Sequence, residues 1–244
     1  TKEAFWIRSE NGELIKINGL ALGGSIGTNG ILRGELIVFN SLDELKDTPA
    51  DKVDGKVVFI NQHMNEKHIQ TFKAYGGCYP VRGNGASEGA KKGAIAVIIR
   101  SLGLAIDEHP HTGSMRYEDG VKQIPAAAIS TSDAERIEGL INKNPQDKYE
   151  FILEMDCKKL EDKISYNVIG EIPGNSKQDE IITIGGHLDS WDTGEGAHDD
   201  GAGIIHCLEA FRILRTMNYM PRHTLRVVFF MNEENGNMGG KTYA

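Results

Sequence analysis

The sequence has few cysteines and no long hydrophobic run, and each shortage excludes a class of protein. Three cysteines in 244 residues, Cys78, Cys157 and Cys207, are too few and too scattered for a disulfide scaffold or a Cys-ligated zinc site. Whether two of them form a disulfide stays open. The longest apolar runs, at 94–99 and 226–231, are far shorter than the roughly 20 residues that a membrane-spanning helix needs. We therefore expect no membrane partner.

The sequence also has no block of lysine and arginine. It carries 27 basic and 35 acidic side chains, a formal net charge of −8. A protein that binds a phosphate backbone needs a positively charged surface, so we expect no nucleic-acid partner. The proportions of hydrophobic residues (39%) and charged residues (25%) are those of an ordinary globular protein, so the chain should fold around a core.

Two parts of the chain differ in pattern. Residues 14–156 alternate short β-branched runs with short helical segments, which predicts an α+β domain. Ser41 with Glu44, and Ser132 with Glu135, have the spacing of capping boxes and predict the starts of two helices. The strands are expected at 35–39, 56–60, 94–99, 125–129 and 149–156.

From residue 157 to residue 244 the pattern becomes strand, loop, helix, strand. This order predicts a βαβ unit with parallel strands. The strands are expected at 166–172, 181–186 and 224–232, and the helix at 201–217.

Chemically useful side chains follow two of these strands at the point where each strand ends. They are His187, Asp189, Asp199, Glu233 and Glu234. The carboxyl ends of parallel strands meet at one edge of a sheet, so we expect these side chains to converge. Gathered carboxylates repel one another unless a cation neutralises them. A histidine with carboxylates and no thiolate suits zinc in a catalytic site; the alternative is a polar rim without a metal.

The spacing suggests what each residue does. Residues i and i+2 of an extended chain face the same side, so Asp189 can orient the imidazole of His187. Asp199 has two oxygens and could bridge two metal ions. One of the two glutamates can bind metal while the other takes a proton from a bound water.

These segments resemble those of the two-zinc exopeptidase family of aminopeptidases and glutamate carboxypeptidases, above all its plasma glutamate carboxypeptidase branch. The resemblance extends over nearly the whole chain and includes SIGT, PHTG, HLDSWD, DDGAG and NEENG. It implies that His187 binds one zinc, that Asp199 bridges both, and that Glu234 binds the second. It implies two catalytic residues, Glu233 as general base and acid and Asp189 as the orienting carboxylate. It also implies a cis peptide between Asp199 and Asp200.

The resemblance further implies an α/β fold, in which a zinc exopeptidase domain with a mixed or parallel sheet carries an inserted protease-associated domain. That α+β domain would occupy residues 14–156, with residues 1–13 as the start of the peptidase domain or a linker. Residues 157–244 would be the N-terminal half of the peptidase domain. The family needs a further Asp and His after the glutamate pair, and neither follows Glu234. We therefore expect an N-terminal part of a longer enzyme, inactive alone.

The implied reaction is hydrolysis of small unblocked peptides, of dipeptidase or carboxypeptidase type, with two zinc ions per complete enzyme. An aminopeptidase that acts on longer peptides and a receptor-like binding module of the same fold are the alternatives. The resemblance implies a secreted, extracellular or lysosomal location and a small peptide as partner. It leaves a homodimer of the full-length enzyme open.

Overall fold

A computed structural model describes residues 3–244, which fall into two compact units, one ending at Leu160 and the other running from Glu161 to Ala244. Among the helices of this described part, none combines the length and the apolar character needed to cross a membrane. The three cysteines carry free thiols.

The first unit is built on an eight-stranded mixed sheet with the order β2-β1-β8-β4-β5-β6-β7-β3. The strands β4 to β7 are parallel to one another, and the other pairs are antiparallel. The strands are β1 (Glu3–Arg8), β2 (Leu14–Ile17), β3 (Gly19–Ala21), β4 (Leu32–Phe39), β5 (Val57–Ile60), β6 (Ala96–Arg100), β7 (Ala126–Ile129) and β8 (Glu150–Met155).

The strand β1 comes from the segment that was predicted as the start of the peptidase domain or a linker. It pairs with β2 on one side and with β8 on the other, so residues 3–8 belong to the first sheet. Residues 1 and 2 of the predicted 1–13 segment lie outside the described residues.

Helices cover both faces of this sheet. They are α1 (Leu42–Asp47), α2 (Thr71–Lys91) and α3 (Thr131–Lys143), with a short 3-10 turn at Ala50–Lys52. Along the fully buried β5, Val58 and Ile60 join the core cluster that contains residues of α1 and α2, whereas Val57 and Phe59 join the cluster that contains residues of α3. A parallel strand that is buried on both faces has a continuous run of apolar residues, which explains why all four residues of β5 are apolar.

The second unit contains a three-stranded sheet with the order β10-β11-β9. The strands are β9 (Val168–Ile172), β10 (Lys177–His187) and β11 (His223–Phe230), and the helices are α4 (Gly203–Thr216) and α5 (Met238–Tyr243). The predicted parallel pairing of the strands that flank the α4 helix is confirmed, since β10 and β11 run parallel, while β9 is antiparallel to β11. An irregular turn at Ala197–Ala202 precedes α4.

Candidate active site

The register of β10 and β11 determines where the site lies. His187, the last residue of β10, is the register partner of Phe230, the last residue of β11. The next backbone N–H, that of Leu188, donates to the Phe230 carbonyl at 2.7 Å. Both strands therefore end at the same edge of the sheet, and the polar segments that follow them begin side by side.

The three predicted zinc ligands converge at this edge. His187, Asp199 and Glu234 each offer one ligand atom, and the three atoms lie within 4.8 Å of one another. His187 Nε2 is 3.0 Å from Asp199 Oδ1. Two ligands of a tetrahedral zinc ion are about 3.3 Å apart, given the usual bond lengths of about 2.0–2.1 Å. Histidine nitrogen and carboxylate oxygen are both zinc ligands, and catalytic zinc sites combine them, so these residues fit the metal that the sequence predicts.

Without a cation, this group of side chains favours bound protons. Burial raises the pKa of Glu234, and the nearby carboxylates of Asp199 and Glu233 raise it further. Burial acts to lower the pKa of His187, but a hydrogen bond to the Asp189 carbonyl and the surrounding carboxylates outweigh burial and raise it. A divalent cation would replace these protons and relieve the same repulsion.

Asp189 holds the site together through different atoms from those predicted. The atom that contacts His187 Nδ1 at 2.8 Å is the Asp189 backbone oxygen, whereas its carboxylate is 3.6 Å away. The carboxylate instead accepts the backbone N–H groups of Glu233 at 3.0 Å and Glu234 at 3.1 Å. These two N–H groups lie in the turn after β11, so Asp189 fixes the turn that carries both glutamates.

The two glutamates have different surroundings. Glu234 Oε1 accepts the backbone N–H of Trp191 at 3.1 Å, which keeps this side chain against the loop that follows β10. The Glu233 side chain is 48% exposed, and its Oε2 lies 3.9 Å from His187 Nε2. Glu234 is thus placed among the ligand atoms, and Glu233 stands beside them with access to solvent.

Asp200 is a residue of the site that the sequence reasoning did not assign. Its Oδ2 accepts the backbone N–H of His187 at 3.0 Å. The Asp199–Asp200 peptide is cis, as the resemblance implies. The only sequence signal was the pair of adjacent aspartates, which does not reveal what the second one contacts.

A second group of potential ligands lies in the first unit, where His63, Glu135 and Glu138 come together. The buried guanidinium of Arg100 already supplies a positive charge there, since Nη2 donates to Glu135 Oε1 at 2.6 Å. Asn61 Nδ2 donates to Glu138 Oε2 at 3.0 Å. This cluster is neutralised from within the chain, and we assign no metal to it.

Comparisons with known proteins find one family model and several similar proteins. Residues 167–244 match the family model described as Peptidase family M28. The chain is 38% identical over 227 residues to Carboxypeptidase Q of Mus musculus, covering 92% of this chain and 46% of that protein. It is 29% identical over 203 residues to a probable leucine aminopeptidase 2 of Aspergillus oryzae, covering 81% of this chain and 35% of that protein.

A solved structure is also similar. The crystal structure of a Peptidase M28 precursor from Shewanella amazonensis has a TM-score of 0.89 and 40% sequence identity, covering 100% of this chain and 54% of that one. The agreement over both units supports the mixed α/β architecture. The chain spans about half the length of the curated relatives it matches.

Proposed function

The chain belongs to peptidase family M28 through residues 167–244, and on that premise we propose that the full-length protein is a two-zinc metallo-exopeptidase. Its substrates would be small unblocked peptides, cleaved in the manner of a dipeptidase or carboxypeptidase. The observation that carries this proposal is the convergence of His187, Asp199 and Glu234 at the ends of two parallel strands.

These three residues would hold zinc, with Asp199 shared between two ions. Bound zinc polarises a peptide carbonyl and lowers the pKa of a water molecule. Glu233 would then act as the proton carrier: its carboxylate takes the proton of the attacking water and donates it to the leaving amine. The exposure of Glu233 and its 3.9 Å distance from His187 Nε2 suit that role.

Wider features of the protein belong to the same proposal. We propose that residues 14–156 form a protease-associated domain. We also propose that the enzyme is secreted or lysosomal. Both assignments rest on the resemblance of segments such as PHTG and HLDSWD to the two-zinc exopeptidase family. The partner would be a small peptide, with neither nucleic acid nor membrane involved, and a homodimer of the full-length enzyme is compatible with the proposal.

An aminopeptidase that acts on longer peptides is the second candidate, because the chain is also similar to a probable leucine aminopeptidase 2. A comparison of free, N-blocked and C-blocked peptides separates the candidates. Cleavage that needs a free N-terminus but tolerates a blocked C-terminus and a long chain would favour the aminopeptidase. A receptor-like module would cleave none of the three.

The proposal is tested by replacing Glu233→Gln in the full-length protein. Because the amide cannot accept a proton, we expect the turnover number to fall about 10²–10⁴-fold while the zinc content is retained. Glu180→Gln, on the exposed part of β10, is the matched control and should leave both unchanged. Normal turnover in Glu233→Gln would remove Glu233 as the base, and loss of zinc would make it a ligand instead.

A further inference from the structure

The Asp200 carboxylate is half-buried, has no role in the proposed reaction, and lies directly behind His187. The Leu188 N–H points into the sheet and donates to Phe230, and successive N–H groups of a strand point to opposite sides. The His187 N–H therefore points away from β11. Asp200 Oδ2 accepts it at 3.0 Å, so the end of β10 is joined to the turn before α4.

Two glycines make room for this carboxylate. A Cβ atom at Gly186 would lie 2.2 Å from Asp200 Oδ2, and a Cβ atom at Gly203 would lie 2.1 Å from Asp200 Oδ1. Both distances are far shorter than any non-bonded contact, so a side chain at either position would displace the carboxylate. The glycines on the strand and on the helix thus form the two walls of a slot that Asp200 fills.

Two adjacent aspartates hold the same histidine from different ends. Asp199 Oδ1 lies 3.0 Å from Nε2 of the His187 ring, while Asp200 holds the His187 backbone. The backbone is not helical at either residue, with φ, ψ of −109°, 95° at Asp199 and −125°, 26° at Asp200. Since the two residues are consecutive, a shift of one moves the other.

We infer that Asp200 is a positioning residue, which fixes the backbone of His187 relative to Asp199 and so sets the spacing of two of the proposed zinc ligands. The inference rests on the proposed function. Asp200 acts through His187. It therefore affects how well zinc is held and how fast the bound substrate reacts, more than how the substrate binds.

The test measures zinc affinity of the full-length protein by competition with a chelator, for Asp200→Ala, Asp200→Asn and the wild type. Replacing a residue that holds a metal ligand in place usually lowers the metal affinity 10- to 100-fold, so we expect a loss of that size in Asp200→Ala. Asp200→Asn keeps an oxygen that can accept the His187 N–H, and it should recover most of the affinity. In Asp200→Ala, kcat should fall at saturating zinc while KM changes little.

The visible spectrum of the cobalt(II)-substituted protein gives a second readout, which a general loss of stability would not move. It should change in Asp200→Ala and stay unchanged in Glu209→Ala, a control on the exposed surface of α4 where Glu209 pairs with Arg212. Should Asp200→Ala not fold, Gly203→Ala displaces the same carboxylate and should weaken zinc binding likewise. The inference is overturned if the variant that folds, Asp200→Ala or Gly203→Ala, binds zinc within about threefold of the wild-type affinity. It is also overturned if Asp200→Asn binds zinc as weakly as Asp200→Ala. A wild type that binds no zinc overturns the proposed function instead.

Discussion

Three contacts restrict His187 at the scale of single residues. The Asp189 carbonyl contacts Nδ1, the Asp199 carboxylate contacts Nε2, and the Asp200 carboxylate accepts the backbone N–H. The sequence predicted that Asp189 and Asp199 lie close to His187, because i, i+2 spacing and the ends of strands can be read from the linear sequence. It could not predict where the Asp189 carboxylate points, since that depends on the path of the turn after β11.

A test of Asp189 follows from its two hydrogen bonds to that turn. Asp189→Ala leaves the N–H groups of Glu233 and Glu234 without their acceptor, and hydrogen bonds to a charged group contribute about 1.5–3 kcal/mol. We expect the free energy of unfolding, measured in urea with zinc removed, to fall by about that amount. Asp189→Asn keeps one acceptor oxygen and should lose less. Equal stability of the Ala variant and the wild type would show that the turn does not depend on this carboxylate.

At the scale of elements, one helix start was predicted correctly and another was misplaced. Ser41 Oγ accepts the Glu44 N–H at 3.1 Å at the beginning of α1, as the capping pattern predicts. For α3 the pattern predicted Ser132, but the N-cap is Ser130, whose Oγ accepts the Asp133 N–H at 3.1 Å. Residues 130–132 all carry hydroxyl groups, and the direction in which the chain leaves β7 determines which of them is the N-cap.

The start of α2 was not predicted. The helix begins at Thr71 and includes Gly76, Gly77 and Pro80. Glycine and proline have the lowest helix propensities, so a local pattern argues against a helix at this point. Packing of α2 residues such as Val81 into the core of the first unit outweighs that preference.

The cap of α3 offers a test with an adjacent control. Ser130→Ala removes the side chain that satisfies a free N–H of the first turn, and we expect the free energy of unfolding to fall by about 1 kcal/mol. Ser132→Ala should change it much less, because Ser132 makes no bond to a backbone N–H of the helix. Chemical denaturation of both variants measures the difference. A larger loss in Ser132→Ala would contradict the assignment of the cap.

At the scale of the whole molecule, the sequence predicted the α/β character and the strands that flank α4, because hydrophobic patterns report which segments are buried. The order of the eight strands was beyond it. The pairing of β1 with β8, for example, joins Arg8 to Glu150 across 142 residues, and a 3.0 Å ion pair lies at that junction. Pairing between strands so far apart in the sequence cannot be recognised from the local pattern of hydrophobic residues.

The stability of the whole chain should depend on pH through Glu35. A hydrogen bond from Lys56 lowers the pKa of Glu35, and its charge and that of Lys148 add to this effect against the opposing effect of burial. A lowered pKa stabilises the folded state above the pKa of the unfolded chain, and the effect is lost as pH falls through the folded pKa. Because the pair is partly exposed, we expect Glu35→Gln to cost less than about 1 kcal/mol at pH 7.

Unfolding curves of Glu35→Gln and the wild type, recorded between pH 7 and pH 3, check this prediction. The two proteins should differ at neutral pH and become equally stable at the acid end. Glu13→Gln, at an exposed glutamate outside this cluster, is the control. A difference that grows as the pH falls would contradict the direction of the shift.

The most direct measurement on the central claim is the metal content of the full-length protein, determined by elemental analysis together with hydrolysis of an unblocked dipeptide. We expect about two zinc ions per chain and measurable hydrolysis in the wild type. Replacing His187→Ala should reduce both, since it removes one of the three converging ligands. A wild-type protein that binds no zinc, or a His187→Ala variant that keeps its full zinc content and activity, would contradict the assignment of this site.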